Sequence, residues 1–124
     1  MVRALVYASC AAALLAAGCT AIPVAEPARV NGDALVARNG MTLYTYDRDP
    51  VGQSACTGAC AQNWPPLLAP SDAQRSGNWM VINRPDGRKQ WAYRGKPVYF
   101  WSKDNAPGDR TGEGFNGVWR LARP

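Results

Sequence analysis

Two short stretches hold the residues best suited to chemistry, and they repeat. Tyr44-Thr45-Tyr46-Asp47-Arg48-Asp49 stands 55 residues before Tyr99-Phe100-Trp101-Ser102-Lys103-Asp104. Each has a second aromatic ring two residues after a tyrosine, and a carboxylate three residues after that ring. Strand side chains alternate faces, so Tyr44 and Tyr46 share one face, as do Tyr99 and Trp101. Two chemistries fit this spacing. The rings can form an apolar platform for a sugar, a peptide or a cation, with Asp49 and Asp104 orienting the ligand. Alternatively the rings are core, and each Asp braces its turn by accepting backbone N–H groups or the hydroxyl of the other copy's Tyr.

Cys56 and Cys60 are the next candidates. In an oxidising, exported setting, cysteines four apart most simply form a disulfide. One helical turn would bring their Cα atoms to about 6 Å, within bridging range. So short a loop stabilises by only about 2 kcal/mol on the chain-entropy argument. The alternative is a redox-active or copper(I)-handling thiol pair. The chain contains no His, which removes the usual general base and the commonest metal ligand, and with them Ser-His-Asp and Cys-His catalysis. Asp104 to Gly114 clusters oxygen side chains with Gly, but it lacks the alternation of a calcium loop and carries Arg110 in its midst. No metal site and no cofactor are expected. Paired acids about 5–10 Å apart can hydrolyse glycosides, but nothing in the sequence sets Asp49 against Asp104, and no enzyme is expected.

These residues must be positioned by strands. In one gap-free register Gly32 falls on Gly87, Ala37 on Ala92, Gly40 on Gly95 and Trp64 on Trp119. An internal repeat governs the whole architecture. Residues 30–69 and 85–124 are therefore two diverged copies of one unit, joined by a connector at 70–84. Ala34–Ala37 and Met41–Tyr46 flank Asn39-Gly40, the signature of a tight primed turn. Trp79–Ile82, Gln90–Tyr93, Val98–Trp101 and Val118–Leu121 read as further strands, with turns at Arg84-Pro85-Asp86-Gly87 and Arg94-Gly95-Lys96-Pro97. Cys56 to Gln62 can make a helical turn, and Trp64-Pro65-Pro66-Leu67 a rigid exit from the first copy. The expected fold is an antiparallel all-β domain, 30–124, with pseudo-twofold internal symmetry.

Residues 1–18 read as a leader. Arg3 supplies the positive end, and Ala4 to Ala17 is too short to span a membrane, which takes about 20 apolar residues. Leu14-Leu15-Ala16-Ala17-Gly18-Cys19 resembles the bacterial lipobox, with Ala16 where Leu is usual. The resemblance implies that Cys19 is lipidated. Ordinary signal cleavage, for instance after Ala21, is the alternative. Thr20 after the Cys points to the outer membrane in a Gram-negative host. The Ala- and Pro-rich stretch to Arg29 reads as an extended tether, so that 19–29 is anchor and linker. About 105 residues remain beyond the leader, enough for one domain.

The whole chain carries +5, and loss of Arg3 leaves +4. A cluster at Arg84, Arg88, Lys89, Arg94 and Lys96 reads as solvated hairpin ends or as a surface for anionic envelope components. The partners expected are a membrane, through the lipid anchor, and anionic envelope components or another envelope protein; nucleic acid is not expected of an exported chain.

The twofold Tyr-x-(Phe/Trp/Tyr)-x-x-Asp motif, the Cys56-to-Leu67 segment, Pro107-Gly108-Asp109 and Gly117-Val118-Trp119 resemble the bacterial secreted lipoprotein repeat family defined by that motif. The resemblance implies repetition and an envelope location, and no biochemical activity. The function expected is a lipid-anchored, non-enzymatic binding or interaction module, with the redox or copper-handling pair and a purely structural lipoprotein as the alternatives.

Overall fold

A computed structural model describes residues 26–124. The leader, Cys19 and the tether up to residue 25 lie outside the described residues. Among the described residues the fold is antiparallel β with one short α-helix. β1 (Ala28–Asn31) pairs with β2 (Ala34–Ala37), β3 (Tyr44–Tyr46) with β7 (Trp119–Leu121), and β4 (Trp79–Asn83), β5 (Lys89–Tyr93) and β6 (Lys96–Pro97) form a three-stranded sheet. The helix α1 (Ala59–Asn63) overlaps the segment expected to turn and runs one residue past Gln62, and a 3₁₀ turn (Phe115–Gly117) holds the corresponding place in the second copy. Ala28 and Arg29, expected in the tether, are already strand.

The centre of the molecule is a ladder that crosses between the copies. Tyr44 pairs with Leu121 on one side and Tyr99 on the other, and Tyr99 in turn pairs with Pro66. The pseudo-twofold axis runs between Tyr44 and Tyr99, whose backbones exchange two hydrogen bonds of 2.8 and 2.9 Å. The outer partners are exchanged. Leu121, from the end of copy two, lies beside copy one's Tyr44, and Pro66, from the end of copy one, lies beside copy two's Tyr99. The same exchange recurs one residue on, where Ala122 N–H donates to Leu43 O and Leu67 N–H to Val98 O. Each copy thus completes the sheet of the other, so neither can satisfy its central backbone groups alone.

The gap-free register holds here but slips by one residue at β2. Leu35 donates to Ala122 O as Trp91 donates to Leu67 O. Leu35 therefore corresponds to Trp91 rather than Gln90, and Val36 rather than Ala37 corresponds to Ala92. The cause is the turn that follows. In copy two, Arg94 (φ 50°) and Gly95 (φ 85°) are both left-handed, which is the two-residue primed turn. In copy one, Gly40 has φ 85° but Asn39 is not left-handed. Gly40 N–H closes back on Ala37 O at 2.8 Å, giving a three-residue loop that ends in a glycine bulge. The primed turn expected at Asn39-Gly40 is thus found at Arg94-Gly95.

Candidate functional site

The motif residues converge on the axis, each tyrosine bonded to the other copy's aspartate. Tyr44 Oη donates to Asp104 Oδ2 at 2.7 Å, and Tyr99 Oη donates to Asp49 Oδ2 at 2.6 Å. The second oxygen of each carboxylate braces its own turn. Asp49 Oδ1 accepts the Ala55 N–H at 2.7 Å, and Asp104 Oδ1 accepts the N–H and hydroxyl of Thr111 at 3.0 and 2.6 Å. Both parts of the bracing role are therefore present. Tyr44 and Tyr99 have no exposed surface, and Trp101 and Asp104 are buried. The platform expected from Tyr44, Tyr99 and Trp101 is not available to a ligand; of the four rings only Tyr46 is partly open.

The two tyrosine oxygens are supported differently. Tyr44 Oη accepts the backbone N–H of Gly112 at 3.2 Å. Tyr99 Oη accepts the hydroxyl of Ser54 at 2.7 Å, since its own proton goes to Asp49. Ser54 leads to Arg84, whose guanidinium donates to Ser54 Oγ, Gln90 Oε1, Cys56 O and Asp86 Oδ2. Arg84 is only 3% exposed, so its place among the solvated hairpin ends is corrected. The fork of five N–H groups fits this buried set of oxygens, as a lysine would not. Desolvation and a neighbouring carboxylate push both Tyr44 and Tyr99 well above the ordinary phenol range. Burial also raises Asp49, against the bonds from Tyr99 and Ala55 and the charge of Arg84. Arg123 and Arg110 hold the exposed Asp33 down at about 2.

Beside the clamps stands a column of four rings, Tyr46, Trp119, Trp64 and Trp101. Successive centroids are 4.3, 3.8 and 4.0 Å apart, and the middle pair is parallel to within 3°. The axis passes between Trp119 and Trp64, relating Tyr46 to Trp101. Gly112 is required here by close approach: a Cβ would lie 2.8 Å from Trp64 and 3.0 Å from Tyr44. Through the Asp hydrogen bonds Thr111 corresponds to Ala55, so Gly112 stands where copy one has Cys56. Neither Gly112 nor Arg84 is marked by spacing; both lie in stretches whose composition suits any turn.

Cys56 and Cys60 are joined by a disulfide, their Cα atoms 5.2 Å apart. Cys56 is fully buried, and Cys60 reaches a groove of about 360 Å³ lined by Tyr46, Arg48, Cys60, Asn63, Phe115 and Asn116 among others. Phe115, at 40% exposure, covers Trp64 and Trp101 and is the most open ring of the cluster. Among the described residues no three His, Cys, Asp or Glu side chains gather as a metal-binding group, and no helix is long and apolar enough to cross a membrane.

The sequence pattern of the Lipoprotein_15 family, a secreted repeat of unknown function, matches residues 28–68 and again 80–123. The chain belongs to this family. The secreted repeat is thus present twice, and its two copies are the halves related by the axis between Tyr44 and Tyr99. Comparisons with curated proteins and with solved structures gave no match.

Proposed function

We propose that this secreted-repeat protein is a lipid-anchored, non-enzymatic interaction module of the bacterial cell envelope. The observation that carries the reading is the reciprocal pairing of Tyr44 with Asp104 and Tyr99 with Asp49. The motif's acids and hydroxyls are engaged in holding the halves together, which leaves surface recognition as what the domain offers. The lipobox-like leader ending at Cys19 supports the anchor and, with Thr20, an outer-membrane destination.

The groove beside Tyr46 supports the binding role. Tyr46 and Phe115 present ring surface, Asn63 and Asn116 supply amides, and Arg48 adds a cation. That set suits a carboxylate-bearing glycopeptide of the envelope: rings against sugar faces, the guanidinium on the carboxylate. The purely structural alternative draws support from the burial of Tyr44, Tyr99 and Trp101; the open rings of Tyr46 and Phe115 separate the two.

Intact mass of the native protein tests the anchor. A diacyl or triacyl adduct on Cys19 is expected, and an unmodified chain cleaved after Ala21 would overturn it. Amide NMR titration with soluble muropeptides tests the groove. Shifts confined to Tyr46, Arg48, Asn63 and Phe115 are expected, and no saturable shift there would leave the structural reading in its place.

A further inference from the structure

A second concavity lies away from the motif network. It measures about 470 Å³, and its walls include Pro27, Arg38, Leu67, Leu68, Trp91 and Phe100. Leu68 is 46% exposed and continues the strip into a neighbouring depression that contains Arg88 and Lys89. The cations beside this strip are largely unneutralised. Arg29 and Arg38 donate to the backbone carbonyls of Ala37 and Glu26, and Lys89 donates to the Asn83 amide. None of the three has an acidic partner among the described residues, whereas Arg88, Arg110, Arg120 and Arg123 all do. The Glu26 carboxylate is turned toward Gly77 instead.

The position of this strip on the chain identifies its occupant. Pro27 lines the groove, and Cys19 lies eight residues upstream. Eight extended residues reach no more than about 30 Å. A domain tethered at Cys19 therefore keeps this end close to the bilayer. Exposed apolar side chains bordered by arginine and lysine match the interface of an anionic leaflet, where apolar groups enter the headgroup layer and cations meet phosphates.

We propose that this face docks on the anionic lipid surface to which the chain is tethered, with Leu68 entering the headgroup layer and Arg29, Arg38 and Lys89 meeting lipid phosphates. The proposal rests on the anchor inferred above for its geometry, but the affinity of the face is its own. Docking in this way would order the domain against the membrane instead of leaving it free on its tether.

The test uses the mature chain carrying Cys19→Ser behind a non-lipidating leader, so that no acyl chain contributes. Co-sedimentation is compared between phosphatidylcholine vesicles with and without phosphatidylglycerol. Binding to the anionic vesicles is expected, weakening as salt rises. Arg38→Gln and Lys89→Gln should each weaken it about fivefold, and Leu68→Ser should weaken it without altering its salt dependence. Lys103→Gln, exposed but outside the strip, should leave it unchanged. Equal binding to both vesicle types, no binding, or the same loss from Lys103→Gln as from Arg38→Gln would overturn the proposal. So would a dimer, by sedimentation velocity, that Leu68→Ser dissociates in the absence of lipid, since the strip would then belong to a second copy. Mass at Cys19 decides the anchor separately, so the two readings can fail independently.

Discussion

The two tyrosine–aspartate clamps are the same device built from different materials. Around Tyr44 and Asp104 the supporting groups are local: a Thr111 hydroxyl and two backbone N–H groups from one loop. Around Tyr99 and Asp49 the support runs outward through Ser54 to a buried arginine, a glutamine and a carbonyl of the disulfide loop. The motif specifies the bond across the axis but leaves its surroundings free. A loop can supply the donors cheaply, because backbone N–H groups carry no net charge into the interior. A buried guanidinium must instead be met by several oxygens, and removing any one leaves a desolvated charge short of a partner. The Tyr99 clamp should therefore be the more fragile of the two and the more tightly coupled to its neighbours.

Arg84→Ala breaks that comparison most directly. It should cost about 3 kcal/mol or more, as measured by urea denaturation, because the buried oxygens of Ser54, Gln90 and Cys56 all lose their donor and each buried group left unpaired costs about 1–3 kcal/mol. In double-mutant cycles its effect should be non-additive with Tyr99→Phe and additive with Tyr44→Phe. The matching test on the other side is Gly112→Ala, whose new methyl meets Trp64 and Tyr44. Overpacking of this kind costs about 1–3 kcal/mol, and the variant's near-ultraviolet spectrum should change because the ring column moves. Adding a methyl at Ala55, on the exposed face of the first loop, should do neither.

Reduction of Cys56–Cys60 comes next. The direct loss is about 2 kcal/mol for so short a loop, measured as a lower melting temperature. Because Cys56 O accepts from Arg84, reduction should also weaken the Tyr99 clamp while sparing the Tyr44 clamp. Hydrogen exchange at Ala55 and Cys56 should accelerate more than at Thr111 and Gly112.

Alkaline titration treats the clamps alike. Both tyrosines have folded pKa values raised above the ordinary 10. Their contribution is complete below pH 10 and is lost as pH rises, because the unfolded chain releases its protons first. Each should lower stability by up to about 1.4 kcal/mol per pH unit above 10. Tyr44→Phe/Tyr99→Phe should flatten that limb. The smallest effect belongs to Asp33, held at about 2 by Arg123 and Arg110. Its contribution is present above pH 4 and lost as pH falls toward 2. The group is exposed, so about 0.5 M salt should erase most of it.

Much of this was legible in the sequence because it depends on spacing. The repeat, most of the strands and the helical turn after Cys56 follow from local periodicity and residue type, and the motif spacing offered the bond from each Asp to the other copy's Tyr as one of two readings. Val98–Trp101, expected as a strand, joins the ladder only through Tyr99, and the strand is formed instead by Lys96–Pro97, expected in the turn. What was not legible depends on packing at a distance. Asn39-Gly40 reads as a primed turn, yet the loop is one residue longer because Met41 closes it through Ala37. Arg84 sits among surface-like residues, and only the tertiary convergence of Ser54, Gln90 and Cys56 makes a place for its charge. Tyr44 and Tyr99 look like ring faces for a ligand because a strand pattern cannot reveal that each is met by a loop of the opposite copy. The exchange of Leu121 and Pro66 between halves is likewise invisible to any local pattern.

The claim on which the rest depends is that the motif locks one copy to the other. Double-mutant cycles by urea denaturation test it most directly, pairing Tyr44→Phe and Tyr99→Phe with Asp104→Asn and Asp49→Asn. The account predicts coupling of about 1 kcal/mol or more for Tyr44 with Asp104 and for Tyr99 with Asp49. It predicts much weaker coupling for Tyr44 with Asp49 and for Tyr99 with Asp104. Coupling confined to the pairs within each copy would contradict it, and would return the motif to two independent sites.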